Sequence, residues 1–232
     1  MMKVSIIITN YNYGRYLERC IRSCLNQNLN NLGTSSLNRG YEIIVVDDNS
    51  TDNSKKIIKK FSKTPNFRFI LNPKNIGVAA SSNKAILKAK GKYVIRVDSD
   101  DFISNHLINI LSYYLDENKE KFAVACDYHL VDEDEIKISK VSARVKPISC
   151  GIMYDRSKLI KYGLYNIKFR HREEEELRLR LGDKYNLSYI DLPLYRYRIH
   201  KTNKTKSNEY IEEFRDKIET IRNKVSKKKY SK

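Results

Sequence analysis

The 232-residue chain has no tryptophan, so any aromatic stacking surface must come from its 17 tyrosines, 7 phenylalanines or 4 histidines. It has no apolar run of about 18 residues, which excludes a helix built to span a bilayer. The first residues, Met-Met-Lys-Val-Ser-Ile-Ile-Ile-Thr, carry no small-residue cleavage site and read as an opening strand, not a secretory signal. Its cysteines are few (Cys20, Cys24, Cys126, Cys150), with no Cys-x-x-Cys pair and no histidine at zinc-site spacing. That excludes a zinc ribbon and leaves reduced, partly buried thiols in a cytoplasmic protein as the expectation. Gly-x-Gly-x-x-Gly is missing after the first strand, where Thr9-Asn10-Tyr11-Asn12-Tyr13-Gly14 stands instead. A dinucleotide-binding oxidoreductase is thereby excluded.

Acidic residues are also in short supply, 28 against 45 lysines and arginines, for a net charge of +17. The stretch Lys201–Lys232 alone holds eleven basic and five acidic side chains. Such charge points to anionic partners: nucleic acid, an anionic membrane face or phosphorylated ligands. The basic residues are dispersed and no nucleic-acid-reading motif occurs, so nucleic acid is not an expected partner.

What is present is a repeated alternation. Val4–Ile8, Ile43–Val46, Phe67–Leu71 and Tyr93–Val97 are short, nearly continuous β-branched runs, the pattern of parallel strands covered on both faces. Between them lie segments of helical period: Tyr16, Leu17, Cys20, Ile21, Cys24 and Leu25; then Ile57, Ile58 and Phe61; then Val78, Ala79, Ile86 and Leu87. An α/β domain with right-handed crossovers follows. In the second half the pattern predicts a helix around His106–Leu115 and strands near Phe122–Tyr128 and Ile136–Val141. It also predicts a helix starting near Glu173 and a strand pair at Leu187–Ile190 and Leu194–Ile199. Ile211, Phe214, Ile218, Ile221 and Val225 keep the spacing of an amphipathic helix. The Asn28–Gly40 loop returns a helix to a strand, which puts it at the rim opposite the strand ends.

Each of the first four strands ends in polar residues, and in a parallel sheet those ends share one rim, where open α/β folds bind ligands. The fourth ends most sharply: Tyr-Val-Ile-Arg-Val runs straight into Asp98, Asp100 and Asp101. Like charges so close together raise one another's pKa, and a hard divalent cation removes the conflict.

Five motifs in this order carry a family likeness: Thr9-x-Tyr11-Asn12, Asp47-Asp48-x-Ser50-x-Asp52, Asn75-x-Gly77-x5-Asn83, Asp98-x-Asp100-Asp101 and the late pair Glu173-Glu174. With them the chain, from about Lys3 to Asn203, resembles the inverting glycosyltransferases of family 2. The resemblance implies a GT-A type α/β fold: a Rossmann-like, mostly parallel sheet flanked by helices, with a smaller mixed acceptor-side region and a C-terminal amphipathic helix. It divides the chain into a nucleotide-sugar half (1–103), an acceptor-side half carrying the catalytic base (104–203) and a basic tail (204–232). A sugar would pass from a nucleotide-diphosphate donor, a UDP-sugar being favoured, to a saccharide or lipid-linked acceptor in cell-surface glycan or polysaccharide synthesis. Mn²⁺ or Mg²⁺ would assist. The alternatives are a basic nucleic-acid-binding protein and a non-catalytic, degenerate member of the fold.

By the same resemblance Thr9, Tyr11, Asn12, Asp47, Asp48, Asn75, Gly77 and Asp98 would bind the nucleotide. Asp100 would be the main metal ligand, with Asp98 and His200 beside it. Asp101 is either a further ligand or the N-cap of a following helix. Glu173-Glu174-x-x-Leu177-x-x-Arg180 matches the family's base motif with Glu174 where an Asp is usual, and whether Glu173 or Glu174 is the base stays open. Glu174, Leu177 and Leu181 share one helical face turned inward, whereas Glu175 and Glu176 are expected in solvent. Arg198 and Lys201, within the motif Tyr197-Arg198-Ile199-His200-x-x-Asn203, could neutralise the diphosphate. The basic tail could rest on an anionic membrane as a peripheral contact.

Overall fold

The β-branched runs become the centre of one mixed sheet. The computed structural model describes residues 2–28, 40–169, 172–203 and 218–221. Strands β1 (Val4–Asn10) and β2 (Tyr41–Asp47) are buried along their whole length. With β3 (Phe67–Leu71) and β4 (Tyr93–Asp98) they form the parallel order β3-β2-β1-β4. Helices α1 (Gly14–Leu25), α2 (Ser54–Lys60) and α3 (Val78–Lys88) make the crossovers. α1 buries Tyr16, Leu17, Cys20, Ile21 and Cys24, the stripe that its spacing called for. On α3, however, Leu87 points to solvent, while Ala79, Ala85 and Ile86 face the sheet.

The second half extends the same sheet. After β5 (Phe102–Ile103) and α4 (Leu107–Glu117) come β6 (Ala123–Val131) and β7 (Lys137–Val141), then β8 (Ile152–Asp155) and α5 (Arg156–Lys161). Helix α6 (Glu173–Leu181), a 3₁₀ turn at Gly182–Lys184 and strand β9 (Leu187–Arg198) complete it. β8 lies antiparallel between β4 and β6, and β6 pairs in parallel with β9, so the full order is β3-β2-β1-β4-β8-β6-β9-β5 with β7 on β6.

Three expectations change. The predicted strand pair is one strand, β9, which slips register against β6 around Asp127. Pro193 sits at that slip, where a missing N–H is tolerated by a bulge and does not end the strand. Asp101 opens no helix, because β5 follows it and α4 begins only at Leu107. β8 and α5 have no counterpart in the sequence reading, since four residues are too short to establish a period. All four cysteines are free and buried.

Register brings the polar strand ends together. Thr9 pairs with both Val46 and Asp98, and Asn10 with Asp47, so the polar ends of β1, β2 and β4 are level. The Gly40 carbonyl accepts from Lys3 and Val4 at the other end of β1, so the end of the Asn28–Gly40 loop is at the opposite rim. Residues 29–39 of that loop lie outside the described residues. So does most of the predicted tail helix; of it, residues 218–221 are helical and Ile218 is buried against Phe169, with Leu179 and Ile221 alongside.

The turn into β4 is tight. A Cβ on Gly91 would stand 2.5 Å from the Ser5 backbone nitrogen, and the Gly91 N–H donates to Ser5 Oγ, which itself donates to buried Glu42. Gly91→Ala is expected to cost at least about 2 kcal/mol through forced displacement of backbone, a fall of about 4–8 °C in Tm. Unchanged thermal unfolding would show that the turn has room.

Candidate active site

A cleft of about 1100 Å³ opens over the carboxyl ends of the parallel strands. One wall is built by backbone geometry around Asp48. Its Oδ1 accepts from Asn72 Nδ2 and the Ile76 N–H, and its Oδ2 from the Gly77 N–H at 2.8 Å. Gly77 adopts φ 86 and ψ 162 to present that N–H, a conformation open to glycine and hostile to side chains. Thr9, Tyr11 and Asn75 complete this wall. Asn12 and Asp47 stand behind it. Asp47 accepts from Asn10 Nδ2 and the Ser50 N–H, and Asn12 (φ 60) accepts from the Thr51 N–H while its own N–H donates to Ser50 Oγ. They hold the two loops together.

The floor is the acidic loop after β4, fixed from below by β9. The Tyr195 hydroxyl accepts from the Asp98 N–H and donates to Asp101 Oδ2 at 2.7 Å, and the Arg198 N–H donates to Asp101 Oδ1 at 2.8 Å. Asp101 is therefore buried with both oxygens engaged. The Arg198 guanidinium also turns inward, onto the Asp100 carbonyl, the Glu133 carbonyl and Glu135 Oε1, and away from the cleft. Asp98 and Asp100 line the cleft. His200 is covered between the rings of Tyr13 and Tyr16 and reaches Asp100 Oδ2 with Nε2 at 3.0 Å, its Nδ1 meeting Thr202 Oγ1. In this arrangement His200 orients Asp100 from behind. Tyr13 faces the cleft beside these acids, and burial, then Asp100 and Asp98, push its hydroxyl pKa far up, so it stays protonated.

The far wall is α6. Arg172 precedes it with φ 60, and Glu173, Glu174 and Glu175 meet the cleft from its first turn, where the helix dipole favours negative charge. Glu173 accepts from Arg96 Nη1 at 2.5 Å. Glu174 accepts from Arg178 Nη2 at 2.6 Å and from the Tyr185 hydroxyl at 2.8 Å. Glu175 pairs with Arg172. Glu176 was expected in solvent, yet it is buried: its Oε1 accepts from Arg180, whose remaining N–H groups donate to the Tyr162 and Leu164 carbonyls.

Sequence reasoning passed over two groups that organise this site. Arg96 is a charge inside a buried strand, which by itself signals a buried partner. Tyr185 sits in a polar turn and carries no such signal. Asn83, from the third motif, does not reach the cleft; it grips both backbone groups of Tyr165.

Asp98 and Asp100 both line the cleft and offer oxygen donors of the kind a hard cation takes. Asp98 Oδ1 is 3.0 Å from Arg96 Nε without hydrogen-bond alignment, and both atoms are buried with no hydrogen bond. Cys150 Sγ and Asp101 approach Asp98 closely enough to share an ion. They suit it poorly, since burial raises the thiol's pKa well above the ordinary value and Asp101 is already engaged.

Comparison with known proteins matches residues 5–175 to the family described as Glycosyl transferase family 2. A chondroitin synthase of Escherichia coli is 35% identical over 126 residues, 54% of this chain and 16% of that protein. The chain spans 16% of the length of that synthase and 41% of that of the glycosyltransferase GlyG of Streptococcus pneumoniae, less than two thirds of either. Among solved structures, S. aureus TarS (residues 1–349) in complex with UDP-GlcNAc superposes with a TM-score of 0.72 at 21% identity, covering 89% of this chain and 61% of that one. The mannosyltransferase PcManGT of Pyrobaculum calidifontis, in complex with GDP-Man and Mn²⁺, gives 0.68 at 16%, covering 87% and 58%. These likenesses establish the GT-A fold.

Burial, then repulsion from Asp100 and Asp98, holds the Asp101 pKa well above the carboxylate range. Burial raises Asp98 as well, Arg96 opposing and Asp100 adding. The folded state thus keeps protons that the unfolded chain releases near about pH 4. These groups' penalty is absent below that pH and grows as pH rises through the folded values. Asp101→Asn, which cannot ionise, is expected to flatten the loss of stability with rising pH in urea unfolding between pH 4 and 8. A slope identical to wild type would show that Asp101 ionises without cost.

Proposed function

Because the chain belongs to glycosyl transferase family 2, we propose that it moves a sugar, with inversion, from a nucleoside-diphosphate donor to an acceptor hydroxyl in the making of a cell-surface glycan or polysaccharide. The observation that carries this reading is the meeting, in one cleft, of the Asp48–Gly77 wall, the Asp98–Asp100 floor and the acidic turn of α6. The UDP-GlcNAc and GDP-Man bound by the two structural neighbours support a nucleotide-sugar donor. A UDP-sugar is the favoured class, and the acceptor is a saccharide or lipid-linked glycan. No helix among the described residues is long and apolar enough to cross a membrane.

In this reading residues 1–103 hold the donor and 104–203 the acceptor. Thr9, Asp48, Asn75 and Gly77 cradle the nucleoside, with Asn12 and Asp47 setting the loops. Mn²⁺ or Mg²⁺ held by Asp98 and Asp100 would stabilise the charge on the leaving diphosphate, and the Mn²⁺ of the mannosyltransferase neighbour supports that choice. Glu174 accepts the acceptor's hydroxyl proton from the face opposite the leaving group. Glu174 is preferred to Glu173 because it holds the second place of the acidic pair, the position of the family's base; both carboxylates have an arginine partner, Arg178 for Glu174 and Arg96 for Glu173. Both Glu174 oxygens already accept one hydrogen bond, yet each keeps a lone pair for a hydroxyl.

Glu174→Gln is expected to lower turnover about 10²–10⁴-fold, measured as UDP release from a UDP-sugar panel with Mn²⁺, while UDP affinity by calorimetry stays near wild type. Full activity in Glu174→Gln would remove Glu174 from the role of base.

A further inference from the structure

Glu174 is one methylene longer than the aspartate usual at its position, and such a side chain has one more torsion to restrain. The fold restrains it from a direction the helix itself does not supply. The Tyr185 hydroxyl, from the turn after α6, donates to Glu174 Oε1 at 2.8 Å, and the Tyr154 hydroxyl of β8 stands 2.9 Å from that of Tyr185. A carboxylate only accepts, so Tyr185 spends its hydrogen on Glu174 and its oxygen accepts from Tyr154. The polarity of the chain is thereby fixed: Tyr154 to Tyr185 to Glu174. Both rings are buried and edge-packed on Phe122, with centroids 5.4 and 5.3 Å away, so neither hydroxyl can swing aside.

We propose that Tyr185, backed by Tyr154, is a positioning residue that aims the Glu174 carboxylate at the acceptor hydroxyl; this rests on Glu174 being the base. The charged and titratable groups facing Glu174 are Arg178 on its own helix, Tyr185 and Tyr154, Tyr165 from the α5–α6 connection, and Glu173 with Arg96 behind it. Arg178 fixes Oε2 through an i, i+4 pair that a rotating side chain could follow. Among the described residues, Tyr185 alone ties Oε1 to a separate element. Loss of the Tyr185 hydroxyl therefore frees Oε1 and leaves the carboxylate held only along its own helix. An aspartate at 174 would fall short of the hydroxyl, which makes Tyr185 irrelevant in that background.

The test is UDP release from UDP-GlcNAc in Mn²⁺ by the full chain, with kcat and KM read separately. Tyr185→Phe keeps the ring and is expected to lower kcat about tenfold while the KM for UDP-GlcNAc stays near wild type. In a Glu174→Asp background the same substitution is expected to change kcat less than twofold. Tyr154→Phe, which leaves the Tyr185–Glu174 bond intact, serves as the folding control and is expected to lower kcat by less. Unchanged kcat in Tyr185→Phe, or an equal loss of kcat in both backgrounds, would overturn the positioning role. Full turnover in Glu174→Gln would instead overturn the assignment of the base and leave the tyrosine contact standing as architecture.

Discussion

The site depends on one buried guanidinium. Arg96 points from the middle of β4 toward Asp98 on one side and Glu173 on the other, at 3.0 and 2.5 Å. Burial works against its charge, and the two carboxylates outweigh that cost, so it stays protonated. An isolated buried ion would be expensive; the two carboxylates offset the cost for Arg96, while Asp98 keeps part of its own burial penalty. The consequence is geometric: the floor of the cleft and the acidic turn of α6 are held at a fixed separation by a residue that belongs to neither. In the proposed reaction a donor on the floor and a base on the helix would have to face each other at a fixed distance, and Arg96 ties those two parts together.

A second restraint works from below. β9 places Tyr195 and Arg198 under the acidic loop, so that Asp101 is consumed as an internal acceptor and Asp98 and Asp100 are left to face the cleft. Three aspartates in four positions thus divide into one that builds the loop and two that serve it. His200, capped by Tyr13 and Tyr16, holds Asp100 in the same spirit.

The sequence made the donor rim legible because local rules suffice there. Continuous β-branched runs ending in Thr9, Asp47 and Asp98 imply parallel strands with level polar ends, and the register bears this out. The second half follows non-local rules. Pro193 reads as a break between two strands, but parallel pairing with β6 carries the chain through it. Asp101 reads equally as ligand or cap; β5 removes the cap, and the hydroxyl that engages its carboxylate comes from Tyr195, 94 residues away. Glu173 and Glu174 read alike in the sequence, and their partners come from elsewhere: Arg96, 77 residues upstream, for Glu173 and Tyr185 for Glu174. Glu176 reads as a solvated charge and is drawn inside by Arg180, which anchors it to two backbone carbonyls.

The most direct test of a cation-assisted nucleotide-sugar site is a thermal-shift series with UDP, GDP, dTDP and CMP, each with and without Mn²⁺, on wild type and Asp100→Ala. One nucleotide is expected to stabilise the wild type in a Mn²⁺-dependent way, by about 2.7 kcal/mol at a hundredfold excess over Kd, and Asp100→Ala is expected to lose that response. Stabilisation that ignores Mn²⁺ or survives Asp100→Ala, or no stabilisation by any nucleotide, would contradict the assignment of the cleft.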